Sequence, residues 1–524
     1  MKKTLALILS LSLMLALLSG CGGGGTNSTA STSTSGSSGN SSATTGSPTS
    51  LTVGVMSDTD GFDPINTVNY VGCNLVYETL VDIDPETYEP VGVLAESWEY
   101  VDDTHLRVKL YDDATFSNGE PVTGEDVYWS WYRNISENSS VMNCFAFIDW
   151  DNWEFVSDKE FIISYLQPFS PAVNYMTMCG FSVVCKSAME NATSDDYWSA
   201  PVGSGPYTVV ENVSGAYSSY ALREDYWNTE KMPDPTEITV KNYSDASTLF
   251  IDYETGALDI AFDLDTTDAD RVSAGEVENT TLETISTNNV IGLALPEYTE
   301  ALEDVRVRQA LAYALDVDAL TEVGYGSLGT PASTLIATNI QDALEVGKQE
   351  YNPEKAKELL KEAGVSNLTL SLVIVGNPTD ERVATTMQAY FEAIGVTLEI
   401  ESCDLATAIS HFMNSETDLV LNSGSVVTMD TYEALQMTLS TSTNATIRIT
   451  DESYNEDLLA GMAATDEAVR TQAYTEAQQW LHDNYRQIPI CELETAFCYK
   501  ADKVLSVNTM CDEALTLRYV ELAG

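Results

Sequence analysis

A chain of 524 residues is too long for one core of ordinary size and should divide into two or three domains. Its 24 Lys and Arg face 80 Asp and Glu, a formal net charge of -56 that excludes nucleic acid and anionic membrane surfaces as partners and favours cationic ligands at long range. The three histidines, His105, His411 and His482, are far apart, and no P-loop, no dinucleotide-binding GxGxxG after a strand and no nucleophile triad spacing is present. No enzyme activity, cofactor or metal site is therefore expected.

Lys2 and Lys3 precede an apolar run from Leu5 to Leu18 that ends in Leu18-Ser19-Gly20-Cys21, so residues 1–20 read as a signal peptide too short to span a bilayer comfortably. From Gly22 to about Ser50 the chain is almost only Gly, Ser, Thr and Asn, which cannot bury enough apolar surface to order itself, and 21–50 reads as a tether. Eight cysteines follow Cys21, in an exported chain where disulfides are permitted. Cys179 lies near Cys185 and Cys491 near Cys498, but no CxxC or Cys/His ligand spacing appears.

Leu51 to Val55 opens the globular part as a strand. Between Glu99 and Leu110, Leu106, Val108 and Leu110 alternate with His105, Arg107 and Lys109, the period of a strand with one face on a core, and Asp102-Asp103 is the turn before it. Asn118-Gly119 predicts a tight reversal with positive φ at both residues. Thr123 then caps an aromatic-rich helix, with Asp126 placed to face the free N–H groups of its first turn.

Pro201 to Asn228 predicts a rigid Gly-Pro bend and a hairpin turning at Ser214-Gly215. Gly203-Ser204-Gly205 lacks the GxSxG frame of a nucleophile. A short helix should end at Gly256 before the strand Ala257 to Phe262. Asp263, Asp265, Asp268 and Asp270 miss the calcium-loop spacing and read as a solvated acidic turn. Asp304 caps a helix within 301–320 whose Val307, Ala310, Leu311 and Ala314 share a face. Asn352-Pro353 starts another helix ending at Gly364, and the strand 368–375, helix 380–394 and strand 396–400 make a βαβ unit of a parallel sheet. No internal repeat is visible.

Tyr77-Glu78-x-Leu80, Leu94-Ala95-x-Ser97-Trp98, Phe116-x-x-Gly119 and Asp126-Val127 occur in the order found in the bacterial extracellular solute-binding proteins of family 5, the receptors of peptide and nickel ABC importers, and the chain resembles that family over nearly all of 51–522. Pro201-x-Gly203-x-Gly205-Pro206-Tyr207 and Arg223-x-x-Tyr226-Trp227 are similar too, with Arg223 where the family carries Asn. Leu18 to Cys21 resembles a bacterial lipobox, in which the cysteine is acylated and becomes the mature N-terminus.

The resemblance implies an α/β, two-lobed fold of the periplasmic-binding-protein kind with a ligand cleft between the lobes. Lobe I would comprise 51–90, 204–288 and 489–524, an inserted subdomain 91–203, and lobe II 289–488, with crossings near Asn288 and Ile488-Pro489. It implies a monomeric receptor, anchored through Cys21 on the extracellular face of the cytoplasmic membrane, that captures a small peptide or peptide-like solute and passes it to an ABC permease. The alternatives are a sugar or a metal chelate as ligand and, from another class, a surface hydrolase or adhesin. Family members carry Gly-Trp-x-x-Asp ahead of an Asp-Pro, the first Asp pairing the peptide amine. The corresponding segment contains Ser423, Gly424, Ser425, Val427 and Asp430, with Val427 at the first acid and Asp430 at the second. Because valine offers an ammonium no charge-assisted partner, either Asp430 or another acid replaces it or, as expected, the ligand brings no free amine to that point.

Overall fold

The computed structural model describes residues 49–56, 61–66, 69–84, 87–137, 139, 142–422, 426–439, 447–507 and 516–523; Cys21, the leader and the tether lie outside them. Strand β1 (Ser50–Val55) leads to helix α1 (Tyr70–Val76), whose Asn69 cap accepts the Gly72 N–H. A separate antiparallel sheet follows, built from β2 (Ala95–Asp102) and β3 (His105–Leu110), then, across helix α2 (Gly124–Ser136), from β4 (Glu154–Ser157) and β5 (Glu160–Ser164), in the order β2-β3-β5-β4. The alternation in β3 is realised: Leu106, Val108 and Leu110 are buried, while His105, Arg107 and Lys109 stay half-exposed. Thr123 and Asp126 form the reciprocal capping box at the start of α2.

The chain then enters a large sheet through β6 (Tyr207–Val213), β7 (Tyr217–Leu222), β8 (Glu237–Asn242), β9 (Ile260–Leu264) and the long β10 (Thr280–Ala294). After helices α3 (Val305–Ala314) and α4 (Pro353–Glu362), the unit β11 (Leu368–Val375), α5 (Pro378–Ala393), β12 (Val396–Cys403) adds parallel strands, followed by β13 (Leu419–Asn422), α6 (Thr431–Gln436) and the long β14 (Gln487–Lys500).

The order is β12-β11-β13-β10-β14-β9-β1-β8-β7-β6, with the short strand Gly329–Pro331 also on β14. β10 and β14 thus sit centrally, antiparallel from Thr280 opposite Lys500 to Ala294 opposite Gln487. Their register shifts between Ser286 and Val290 and again between Ile291 and Gly292. Asn288, inside the first shift, has φ +53°. One end of the sheet packs a core around Leu51, Tyr77, Tyr207, Tyr220 and Phe497, the other around Leu311, Leu372, Met387 and Phe391.

Three local expectations differ in detail. The helix expected within 301–320 breaks at Leu315, because Asp316 caps a second helix, Val317–Tyr325, by accepting the Ala319 N–H. At Phe116 to Gly119 only Gly119 takes positive φ (+83°), and its N–H closes the turn on the Phe116 carbonyl, so Asn118-Gly119 is not the central pair of the reversal. The acidic run is not a solvated turn: Asp263 lies within β9, Asp265 caps the helix Thr266–Ser273 and the buried Asp268 pairs with Arg271 at 3.1 Å.

Candidate functional site

The signature motifs around Glu78, Gly203 and Arg223 converge on one another. Glu78 accepts hydrogen bonds from the Tyr226 hydroxyl (2.6 Å) and the Trp227 indole (3.0 Å), joining two motifs about 150 residues apart in a buried pair of contacts. Arg223, which replaces the family's Asn, donates from Nη1 to the carbonyls of Gly203, Ser204 and Gly205 (3.4, 3.3 and 3.1 Å) and from Nη2 to Phe116 (3.2 Å). At Gly203 an added Cβ would lie 1.9 Å from the Val76 carbonyl oxygen, so the glycine is required by close approach of backbone to backbone. These residues build the frame that carries the site.

The two sides of the molecule meet at α6 and the turn before it. The Asn174 side chain amide, from the inserted segment, donates to the Thr428 carbonyl (3.0 Å), and Gln436 donates to the Tyr175 hydroxyl (3.3 Å). Phe147 stacks on Phe169 with centroids 4.0 Å apart, and both set their rings edge-on to Tyr432. Nearby, a groove of about 380 Å³ runs between Trp98, Tyr100 and Asn174 on one side and Gln341, Thr465 and Arg470 on the other. Trp98, a signature residue, therefore also faces the junction. Behind the turn, the Val426 N–H donates to the Asn288 carbonyl (3.3 Å), which ties the junction to the irregular point of β10.

The six-residue helix α6 begins Asp430-x-x-Glu433, the spacing of a capping box. Asp430 does cap it, accepting the Tyr432 N–H at 2.7 Å, but Glu433 turns away and accepts the N–H (2.8 Å) and hydroxyl (2.6 Å) of Thr428. Met429 between them has φ +57°. Burial pushes the Asp430 carboxyl up to about 6, against the Tyr432 N–H and the positive charge of Arg470. Burial also pushes Glu433 up to about 7, and none of the groups acting on it most strongly is cationic. Glu433 is half-buried, and its loss of hydration outweighs the hydrogen bonds it accepts from Thr428.

Of the expected ligand residues, Val427 is half-buried in this turn and Asp430 is buried as the helix cap; Ser423, Gly424 and Ser425 lie outside the described residues. Glu433, Asn174 and Gln436 were not singled out from the sequence, and the Asp-x-x-Glu spacing at 430–433 was the only signal available for one of them. Among the described residues no group of His, Cys, Asp and Glu could hold a metal ion, and no helix is long and apolar enough to cross a membrane.

A sheet bridged by two long central strands, with a separate core at each end, is the two-lobed α/β fold of the periplasmic-binding-protein kind. Residues 89–446 match the model of the bacterial extracellular solute-binding proteins, family 5 (middle region), and the chain belongs to that family. The dipeptide-binding protein of Escherichia coli is 25% identical over 446 residues, covering 78% of this chain and 82% of the relative. Among solved structures, NikA from Brucella suis in complex with Fe(III)-EDTA matches with a TM-score of 0.80 at 20% identity, over 90% of this chain and 99% of that one. DppA from Helicobacter pylori in complex with the peptide STSA matches with a TM-score of 0.74 at 19% identity, over 91% and 98%. Family 5 binding proteins serve ABC importers of peptides or nickel chelates outside the cytoplasm, and at the level of the family they are binding components, not enzymes.

Proposed function

We propose that this chain is the lipid-anchored receptor of an ABC importer, held through Cys21 on the extracellular face of the cytoplasmic membrane, where as a monomer it captures a peptide or peptide-like solute and hands it to the permease. The match of residues 89–446 to the solute-binding family carries the receptor reading, and Glu433, a half-buried and poorly hydrated carboxylate near the point where Asn174 and Tyr175 approach α6, favours a ligand with a positive group. A carboxylate in that state is stabilised by an incoming cation, and the amine of a peptide supplies one.

Val427 cannot pair an amine and Asp430 is engaged as a helix cap, so we assign the recognition of a ligand's positive group to Glu433, the other acid of the same turn. This replaces the expectation of a ligand without a free amine. Lobe I (51–90, 204–288, 489–524), the subdomain 91–203 and lobe II (289–488) would then articulate at the register shifts of β10 and β14, around Asn288 and Pro489.

The similarity to NikA bound to Fe(III)-EDTA supports a second reading, a metal chelate as ligand. An anionic chelate would be repelled by Glu433, so the two readings differ in sign. Calorimetric titration with one short peptide as free amine and as N-acetylated form tests them: tight binding of the free form alone, lost in Glu433→Gln, is expected. Equal affinities for the two forms, or binding only of a chelate, would overturn the assignment. With a bound peptide, small-angle scattering should show contraction.

A further inference from the structure

Seven cysteines lie within the described residues, and among them Cys73 and Cys179 sit on elements that touch, packed into one core and close enough for each thiol to act on the other. Cys73 is on the buried face of α1 with no accessible surface. Cys179 opens the single turn Cys179–Phe181, is half-buried, and packs on the same core of Leu51, Tyr77 and Tyr207.

The two chain segments are held side by side beyond the thiols. The Val183 N–H donates to the Glu78 carbonyl (2.9 Å), and α2 fixes the second segment by donating from the Trp131 indole to Phe181 (2.8 Å) and accepting the Val184 N–H at Ser130 Oγ (3.0 Å).

Proximity along the chain points elsewhere and is misleading. Cys185 is turned toward Asn118 and Glu120 (3.6 and 3.8 Å), while Cys491 and Cys498 of β14 pack into different cores.

We propose that Cys73 and Cys179 are joined by a disulfide in the exported protein, fastening α1 to the far end of the inserted segment. The oxidant is an external disulfide, of a small thiol or a dithiol protein. The Cys179 thiolate attacks one of its sulfurs and expels a thiolate, and the Cys73 thiolate then attacks the Cys179 sulfur, forming the bond and expelling the second. The two cysteine protons end on the two thiols released, and the external disulfide gains the two electrons. Cys179 is the reachable partner. Cys73 is kept neutral in the folded chain by its hydrogen bond to Cys179 and by burial, so its attack belongs to folding, before α1 closes over it. Once enclosed, the bond is shielded from reductants. It closes a loop that contains the whole β2-β3-β5-β4 sheet, and a loop that long constrains the unfolded chain strongly.

The test uses the mature full-length chain, refolded with reduced and oxidised glutathione, blocked with N-ethylmaleimide in denaturant and digested without reduction for mass spectrometry. A peptide pair linking Cys73 to Cys179 is expected. Maleimide on both residues, or a link from either to a different cysteine, would overturn the proposal, and this readout needs no variant to fold. Reduction should also lower the Tm of the wild type by several degrees and leave that of the Cys73→Ser, Cys179→Ser double variant unchanged; an equal drop in the double variant would assign the effect to another bond.

Discussion

The Glu433 carboxylate accepts both the backbone N–H and the hydroxyl of Thr428, at 2.8 and 2.6 Å, and so holds the turn ahead of α6 instead of completing the capping box that its spacing announces. The arrangement keeps an acid poorly hydrated, so that its ionised form is costly. Glu433→Gln preserves the acceptor and removes the charge. Given a shift from 4.5 to about 7, the ligand-free variant should be more stable at pH 7.5 by about 1–2 kcal/mol, after allowance for residual exposure. Urea unfolding reads the gain directly, and calorimetry should show at least a tenfold loss of affinity for a free-amine peptide. A variant less stable than wild type would mean that Glu433 is already paired.

The same two acids set a pH dependence. Glu433 is raised from 4.5 to about 7 and Asp430 from 3.8 to about 6, so across that interval the folded chain holds protons that the unfolded chain has released. Stability must therefore fall as pH rises from about 5 to 7, the sign that linkage requires when the native state binds more protons. Below about pH 4 the opposite sign takes over, because the caps Asp245, Asp304, Asp404 and Asp451, held low chiefly by their hydrogen bonds, lose their stabilisation on protonation. Thermal unfolding from pH 2.5 to 8 should show a maximum between about pH 4 and 5, and Glu433→Gln should flatten the slope above it. A Tm that climbs steadily to pH 8 would contradict this assignment.

Arg518 donates to Asp82 at 3.2 Å, both side chains being buried, and its charge also acts on Glu78. Removing the cation leaves two carboxylates desolvated together. Arg518→Met should cost about 3–5 kcal/mol in urea unfolding, and adding Asp82→Asn should restore part of it. Equal stability of the single variant and wild type would show that the pair is dispensable.

The glycines at 203 and 119 should respond differently. Gly203→Ala drives a methyl into the Val76 carbonyl at 1.9 Å and should cost about 3 kcal/mol or more, whereas Gly119 has open space and φ +83°, so Gly119→Ala should cost about 1 kcal/mol. Tm values of the two variants rank them, and a reversed order would refute the backbone-contact explanation.

Cys21→Ala should release the protein from the membrane fraction, since the apolar leader ends at the lipobox-like Leu18 to Cys21 and an acylated cysteine is the anchor we propose. Retention of the substituted protein with membranes would end that proposal.

Much of this fold was legible in the sequence because its signals are local. The alternation in β3, the caps at Thr123, Asp304 and Asn352, and the unit β11-α5-β12 each rest on contacts within a few residues, and all were realised. The ordered motifs also carried the family, since Glu78 is held by the Tyr226 and Trp227 side chains, Gly203 by the Val76 backbone and Arg223 by the Gly203 backbone. Tertiary structure alone decided the rest. That Thr428 and Gln436 on either side of Glu433 meet Asn174 and Tyr175, that Cys73 meets Cys179 and not a nearer cysteine, and that Arg518 pairs with Asp82 all depend on residues far apart in sequence. Hydration, charge pairing and thiol contact are set by distance in space, and no spacing along the chain encodes them.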